Sequence, residues 1–295
     1  MKRFLSHIDT LTRTMSSPRI SLSASSRPAR LDDYLGLSHP PQARKSCIVK
    51  PLSIQVADGP DGAVSGFLHL PPTTSATPTC STAAILVSGA GGGVVGPSSI
   101  YLSLADKLAS LRQPVPVLRL DYRFPARTKY SVRDVAAAMD ELQSCYGIQH
   151  FVLVGWSFGG ASVFSVAGSD TRVVGCATVA SQTAETDAIA LLAPRPLLLL
   201  HGTGDRTLSP ACSRRLYEGY GVGGSRELRL FQDDDHALTR NSLEAEQCIG
   251  AFVLRCAGLD GQAERDGLTE RLVGEGEKIE LMRRGGDLRR NKSVE

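Results

Sequence analysis

The sequence lacks an apolar run long enough to cross a bilayer, has little net charge and contains no Cys-x-x-Cys pair. Its richest apolar stretch, residues 188–200, is interrupted by Pro194, Arg195 and Pro196, so we expect a helix end followed by a buried strand. A formal net charge of +3 is too small to predict nucleic acid as a partner. The seven cysteines are scattered without metal-ligand spacing, which favours free thiols, a reducing compartment and no bound metal.

The two ends of the chain differ in composition from its middle. Residues 1–46 are rich in Ser and Arg, poor in acids and without the apolar segment of a secretory signal. They predict either a disordered tail or an organellar transit segment. Residues 259–295 turn Gly-rich and charged and predict a mobile or loosely helical tail. We expect one domain over residues 47–258, in the cytoplasm, or in an organelle matrix if the first segment is a transit peptide.

The middle of the chain alternates short apolar, β-branched runs with segments of helical periodicity. Strands are predicted at residues 53–56, 66–70, 83–88, 115–120, 151–154, 173–180, 197–201 and 227–231. Helices are predicted at residues 100–111, 132–143, 209–220 and 243–256, with a further helical turn beginning at Phe158. The first two strands predict an antiparallel hairpin, and the alternation that follows predicts an α/β fold with a mostly parallel central sheet and helices on both faces.

The strongest local signal is a Gly-x-Ser-x-Gly pattern at residues 155–159. The pattern alone is weak in a chain with 29 glycines, but a buried strand precedes it and a helical pattern follows, which is typical of a nucleophile elbow. A serine on so tight a turn exposes its hydroxyl, and the flanking glycines lack the Cβ atoms that would clash. We therefore predict Ser157 as a nucleophile; the alternative is a tight turn without chemistry.

A serine hydroxyl becomes a good nucleophile only when a base takes its proton. Only His201 and His236 follow Ser157 in the chain. His201 ends an apolar strand, which favours a structural role, whereas His236 follows the last strand and is the predicted general base. The glycine-bearing turn after residues 197–201 supplies Asp205 as the acid that orients this base. If Asp205 only forms the turn, the acid would come from Asp187, Asp233, Asp234 or Asp235.

A tetrahedral intermediate needs backbone N–H donors for its oxyanion. One is predicted at Phe158, the residue after the nucleophile, and the second in the glycine-rich loop at residues 88–93, at Ala90 or alternatively Gly91. A glycine-rich loop after a strand is also typical of dinucleotide sites. The glycine spacing here does not match that fingerprint, and no cofactor is expected.

These features together resemble the α/β-hydrolase superfamily over about residues 51–258. The closest resemblance is to the lidless branch related to dienelactone hydrolases and short-chain carboxylesterases. The shared motifs are the loop at 88–93, the elbow at 155–159, a His-Gly-x-x-Asp segment ending at Asp205, and His236. The resemblance implies an α/β-hydrolase fold without a cap domain and a Ser-Asp-His triad. Ser88 stands where relatives often have histidine, and Ser157 where dienelactone hydrolases proper use cysteine, so dienelactone specificity is not expected.

The predicted function is hydrolysis of a carboxylic ester or thioester in a small-molecule substrate, through an acyl-enzyme intermediate. Peptide hydrolysis uses the same residues and stays open within this class. The alternative from a different class is a catalytically degenerate domain that acts as a binding or regulatory module. The sequence does not indicate the oligomeric state.

Overall fold

Eight strands form a single sheet in the computed structural model, which describes residues 31–57, 62–72, 80–123 and 126–288, excepting the side chains of 31–33 and 264. The strands are β1 (Ile48–Gln55), β2 (Ala63–Leu70), β3 (Thr82–Val87), β4 (Val117–Asp121), β5 (His150–Trp156), β6 (Val173–Val179), β7 (Leu197–Gly202) and β8 (Arg226–Phe231). The α-helices are α1 (Ile100–Ser110), α2 (Thr128–Tyr146), α3 (Gly159–Ser169), α4 (Ala211–Gly219), α5 (Ser242–Cys256), α6 (Gln262–Asp266) and α7 (Lys278–Arg284).

The sheet order is β1-β2-β4-β3-β5-β6-β7-β8. Strand β2 is antiparallel to both β1 and β4, and the remaining strands are mutually parallel. The predicted hairpin and the predicted parallel sheet are therefore both present. Because β3, β5, β7 and β8 are parallel, the loops that follow them lie at one edge of the sheet, where ligands of open α/β sheets bind.

Both faces of the sheet are buried, which explains why its central strands read as continuous apolar runs. In β3, Ala84 and Leu86 pack into the core layer that contains α1 and α5. Their neighbours Ala83, Ile85 and Val87 pack into the layer that contains α2, α3 and α4. Successive side chains of a strand point to opposite faces, so helices cover both faces and the predicted α/β architecture is confirmed.

The connection between β6 and β7 is short. It covers residues 180–196 and contains one 3-10 helix, Asp187–Leu191. No cap domain is present among the described residues, in agreement with the sequence prediction. Across all the described residues, no helix is both long enough and apolar enough to cross a membrane.

The described parts of both end segments are packed against the domain. The prediction of a disordered or transit segment falls largely on residues 1–30, which lie outside the described residues; within 31–46, Tyr34 and Leu37 are buried. The expected mobile or loosely helical C-terminal tail contains α6 and α7 and is not a free appendage over residues 259–288. Its buried apolar side chains are those of Leu268, Leu272, Val273, Leu281 and Met282. These few apolar positions suffice to dock an otherwise charged segment.

Candidate active site

Ser157 occupies a strained turn between β5 and α3. Its φ angle is 54°, a left-handed conformation that costs energy for a residue with a Cβ atom. The Ser157 amide donates to Val179 O of β6 at 2.9 Å, which anchors the turn to the sheet. A Cβ atom at Gly159 would lie 2.5 Å from Val87 O, so this position admits only glycine. The local geometry is that of the predicted nucleophile elbow.

Asp205 lies in the turn after β7, and its carboxylate is saturated with hydrogen bonds. Its Oδ1 accepts from the amides of Thr207 and Leu208 at 2.7 and 3.0 Å. Its Oδ2 accepts from His236 Nδ1 at 2.7 Å and from His201 Nε2 at 3.1 Å. Burial alone would raise the pKa of Asp205, but the hydrogen bonds from His201, His236 and the Leu208 amide outweigh it, so the pKa lies well below its usual value. The carboxylate is therefore a fixed negative charge.

His201 was predicted from the sequence only to have a structural role at a strand end. In the structure it contacts the Asp205 carboxylate. The side chain is fully buried, and its Nε2 faces two acceptors, the Asp205 carboxylate and Leu208 O. The proton is therefore on Nε2, and Nδ1 accepts from the Ser213 hydroxyl at 2.7 Å. His201 thus holds Asp205 through Oδ2, the same carboxylate oxygen that accepts from His236. Its place in the His-Gly-x-x-Asp segment, four residues before Asp205, was the available sequence signal.

His236 lies in the loop between β8 and α5. Because its Nδ1 donates to the Asp205 carboxylate, the neutral ring leaves Nε2 as an acceptor. The ring of Trp156, next to Ser157, lies 5.6 Å from the His236 ring, and its Nε1 donates to His236 O at 3.0 Å. Trp156 therefore brings the histidine loop beside the elbow. Within the described residues no hydrogen bond joins Ser157 Oγ to His236.

The four alternative acids take other positions. Asp234 is buried, and its carboxylate accepts from the backbone amides of Asp235, Arg240 and Asn241. Asp235 accepts from the amides of Ala237 and Thr239. Both carboxylates therefore shape the loop that carries His236. Among the described residues, Asp205 is the carboxylate bonded to this histidine, and none of Asp187, Asp233, Asp234 and Asp235 is.

The glycine-rich loop after β3 borders the elbow. A Cβ atom at Gly89 would lie 3.5 Å from Ser157 Cβ, and Gly89 O accepts a hydrogen bond from the Tyr122 hydroxyl. Within the described part of the chain, the amides of Ala90, Gly91 and Phe158 make no hydrogen bond to a protein acceptor. These three N–H groups are the donors predicted from the sequence, and a prediction of oxyanion binding requires that they have no protein acceptor.

Among the residues that the structure describes, one cluster has metal-ligand chemistry, and it lies outside the predicted site. The ligand atoms of His39, Cys47 and Asp106 are within 4.8 Å of one another. Asp106 Oδ1 accepts from His39 Nδ1 at 2.6 Å and from Cys47 Sγ at 3.3 Å. Burial and the nearby Asp106 raise the pKa of the Cys47 thiol to about 12, so the thiol keeps its proton. Hydrogen bonding alone accounts for this cluster, which holds the N-terminal segment against α1.

Comparisons with known proteins agree with this architecture. The family model described as alpha/beta hydrolase fold matches residues 95–217, and no curated protein sequence matches the chain. The structure is similar to the esterase domain of a Rhodothermus marinus protein, with 19% identity and a TM-score of 0.56, covering 70% of this chain and 98% of that domain. It is similar to a serine hydrolase without a lid from Xanthomonas campestris, with 18% identity and a TM-score of 0.56, covering 70% and 94%.

A third similar structure is the dienelactone hydrolase from Anabaena variabilis. Identity is 18% and the TM-score 0.54, with 68% of this chain and 96% of that chain covered. Each of these neighbours is matched over nearly its whole length, so the shared part is a complete domain. The chain therefore has the α/β-hydrolase fold, and the resemblance to its lidless esterase and dienelactone hydrolase branch, inferred from the sequence, is confirmed.

Proposed function

We propose that the protein is a serine hydrolase that cleaves a carboxylic ester or thioester through an acyl-enzyme intermediate. The observation that carries the proposal is the 2.7 Å hydrogen bond between His236 Nδ1 and a buried Asp205 carboxylate, on loops that adjoin a positive-φ serine. A buried acid that bonds one ring nitrogen of a histidine fixes the tautomer and leaves the other nitrogen as a base. An aspartate that only forms a turn would not need to bond a histidine.

In the proposed reaction, His236 Nε2 takes the proton of Ser157 as Oγ attacks the substrate carbonyl carbon. The carbonyl oxygen becomes an oxyanion that accepts from the Phe158 amide and from Ala90 or Gly91. The protonated His236 then gives its proton to the leaving alkoxide or thiolate, and the acyl group remains on Ser157. Water, deprotonated by His236, then attacks the acyl carbon. The bond from this carbon to Ser157 Oγ breaks, His236 returns the proton to Oγ, and the carboxylic acid leaves. Asp205 stays ionised throughout and stabilises the imidazolium.

Labelling with a fluorophosphonate probe tests the proposal. We expect purified wild-type protein to react, because an activated serine attacks phosphorus as it attacks a carbonyl carbon, and we expect Ser157→Ala and His236→Ala to abolish the signal. Ser144→Ala is the matched control, because this exposed serine on α2 bonds only to backbone and side-chain atoms of its own helix. A panel of p-nitrophenyl esters, thioesters and peptides then separates the reactions within the class.

A folded wild-type protein that is not labelled would contradict the proposal and favour the non-catalytic binding module. The proposed location is a reducing compartment, the cytoplasm or an organelle matrix. It is supported by the absence of disulfides, since all seven cysteines are free.

A further inference from the structure

The C-terminal segment reaches into the glycine-rich loop through Asp287. This side chain is buried, and its Oδ1 accepts from the Ser88 hydroxyl at 2.5 Å and from the Gly96 amide at 2.7 Å. Its Oδ2 accepts from the Val95 amide at 3.0 Å. One carboxylate thus joins the first and last residues of the 88–96 loop, which contains the proposed oxyanion donors.

The same loop is held from its other side. Asp121, at the end of β4, accepts from the Gly93 amide at 2.8 Å. On the side of the C-terminal segment, Val94 N also donates to Gly285 O at 3.2 Å. The fit is close, because a Cβ atom at Gly93 would lie 2.6 Å from the carboxyl carbon of Asp287. The loop is therefore clamped between β4 and the C-terminal segment, and its backbone direction depends on both.

Lys278, at the start of α7, makes a second contact to the site. Its buried ammonium donates to Thr239 O at 2.8 Å, three residues after His236. The Ser99 hydroxyl donates to Lys278 O at 3.1 Å, which ties the helix to the end of the 88–99 region as well. A single ten-residue span of chain thus contacts both the histidine loop and the oxyanion loop.

We propose that residues 278–287 are a positioning element of the active site, in which Asp287 fixes the oxyanion loop and Lys278 fixes the histidine loop. This inference rests on the proposed function. Neither residue reaches the substrate; each acts through the backbone of a loop that does. The element lies beyond the segment in which the sequence placed the hydrolase domain, so the catalytic unit extends to Asp287.

Substitution of Asp287 tests the oxyanion side of the proposal. Asp287→Asn keeps the shape of the side chain, but its amide NH₂ replaces one acceptor oxygen and faces at least one of the three groups that donate to Asp287. Asp287→Ala removes all three hydrogen bonds. We expect kcat on a p-nitrophenyl ester to fall about tenfold for Asn and about a hundredfold for Ala, approaching the loss of one oxyanion donor, with KM nearly unchanged. The affinity for a trifluoromethyl ketone, which forms a tetrahedral adduct with the serine, should fall in parallel.

Lys278→Met tests the histidine side and keeps the aliphatic stem that fills the buried space. We expect slower fluorophosphonate labelling and faster amide hydrogen exchange in residues 236–241. Arg283→Ala is the matched control, since this exposed residue of the same helix pairs only with Glu280, and all its readouts should equal those of wild type.

The outcomes separate the two proposals. Folded Asp287 and Lys278 variants with wild-type kcat and adduct affinity would overturn the positioning role and reduce the segment to a stabilising one. If wild-type protein is not labelled at all, the proposed function fails. Hydrogen exchange in residues 88–96 then still tests whether Asp287 holds the loop, and unchanged exchange in Asp287→Asn would overturn that part.

Discussion

At the scale of single residues, the hydrogen bonds of the candidate site converge on the Asp205 carboxylate. Four donors surround it, two of them backbone amides and two imidazoles. The cost of burying the charge is offset by these donors, and the net result is a lowered pKa. His201 matters here because it supplies one of these donors from a fully buried position.

Asp205→Asn should leave the fold intact and slow acylation severely. An asparagine in this place can present its amide N–H groups to His236, which favours the tautomer with the proton on Nε2 and removes the base. We expect the rate of fluorophosphonate labelling to fall about 10⁴-fold, as for other triads that lose this carboxylate. Asp233→Asn, an exposed change in the histidine loop, is the control and should react at the wild-type rate. Labelling of Asp205→Asn at that rate would show that another acid orients His236.

His201 should affect the site only through Asp205. His201→Gln retains a donor but shortens the reach and leaves the Ser213 hydroxyl without its imidazole acceptor. We expect destabilisation of about 1–3 kcal/mol and a smaller loss of kcat than in Asp205→Asn, measured by urea denaturation and ester hydrolysis. A loss of kcat equal to that of Asp205→Asn, with unchanged stability, would show instead that His201 takes part directly.

At the scale of elements, most of the fold and the three main residues of the candidate site follow from local sequence pattern. All eight predicted strands are present, because strands buried on both faces give apolar runs that periodicity detects. Ser157, Asp205 and His236 follow β5, β7 and β8, and parallel strands bring the loops after them to one edge of the sheet. Boundaries differ by a few residues, as in α2, where Thr128–Tyr146 replaces the expected 132–143.

The contacts of the end segments could not be predicted, because they depend on pairs far apart in the chain. Asp287 bonds Ser88 across 199 residues and Gly96 across 191, and no periodicity indicates such a partner. The charged, Gly-rich composition of residues 259–295, with few apolar residues, predicted a mobile or loosely helical tail instead. Here the docking depends on a few buried side chains and on polar groups satisfied by loops of the domain.

The elbow depends on the packing of α3 against the end of β3. Adding a methyl group at Gly159 places it 2.5 Å from Val87 O and 2.7 Å from Ser88 O, both backbone atoms that cannot move aside cheaply. We expect Gly159→Ala to destabilise the protein by about 3 kcal/mol and to slow labelling. Gly276→Ala, where the added Cβ meets no atom within 4 Å, should change stability by less than about 0.5 kcal/mol. Equal unfolding curves for the two variants would contradict this account.

At the scale of the whole molecule, one buried carboxyl links the pH dependence of stability to the C-terminal segment. Burial raises the pKa of Asp287 to about 7, although Ser88 and the amides of Gly96 and Val95 act in the opposite direction. The charged or titratable groups around it are Asp121, which raises the pKa further, Arg119 of β4 and Tyr101 of α1. In the unfolded chain the same carboxyl titrates near 3.9.

Between about pH 4 and pH 7 the folded protein therefore keeps a proton that the unfolded chain has lost. The contribution of Asp287 to the free energy of unfolding is complete below pH 4 and decreases as the pH rises to 7. From pH 5 to pH 8 the decrease amounts to about 3 kcal/mol at 1.36 kcal/mol per pKa unit. An asparagine at position 287 does not titrate. Between pH 5 and pH 8 the free energy of unfolding of Asp287→Asn should therefore decrease by about 3 kcal/mol less than that of wild type, as measured by urea denaturation at both pH values. Parallel pH dependences in the two proteins would show that Asp287 is already ionised at pH 5, with the loop amides and Ser88 stabilising its charge.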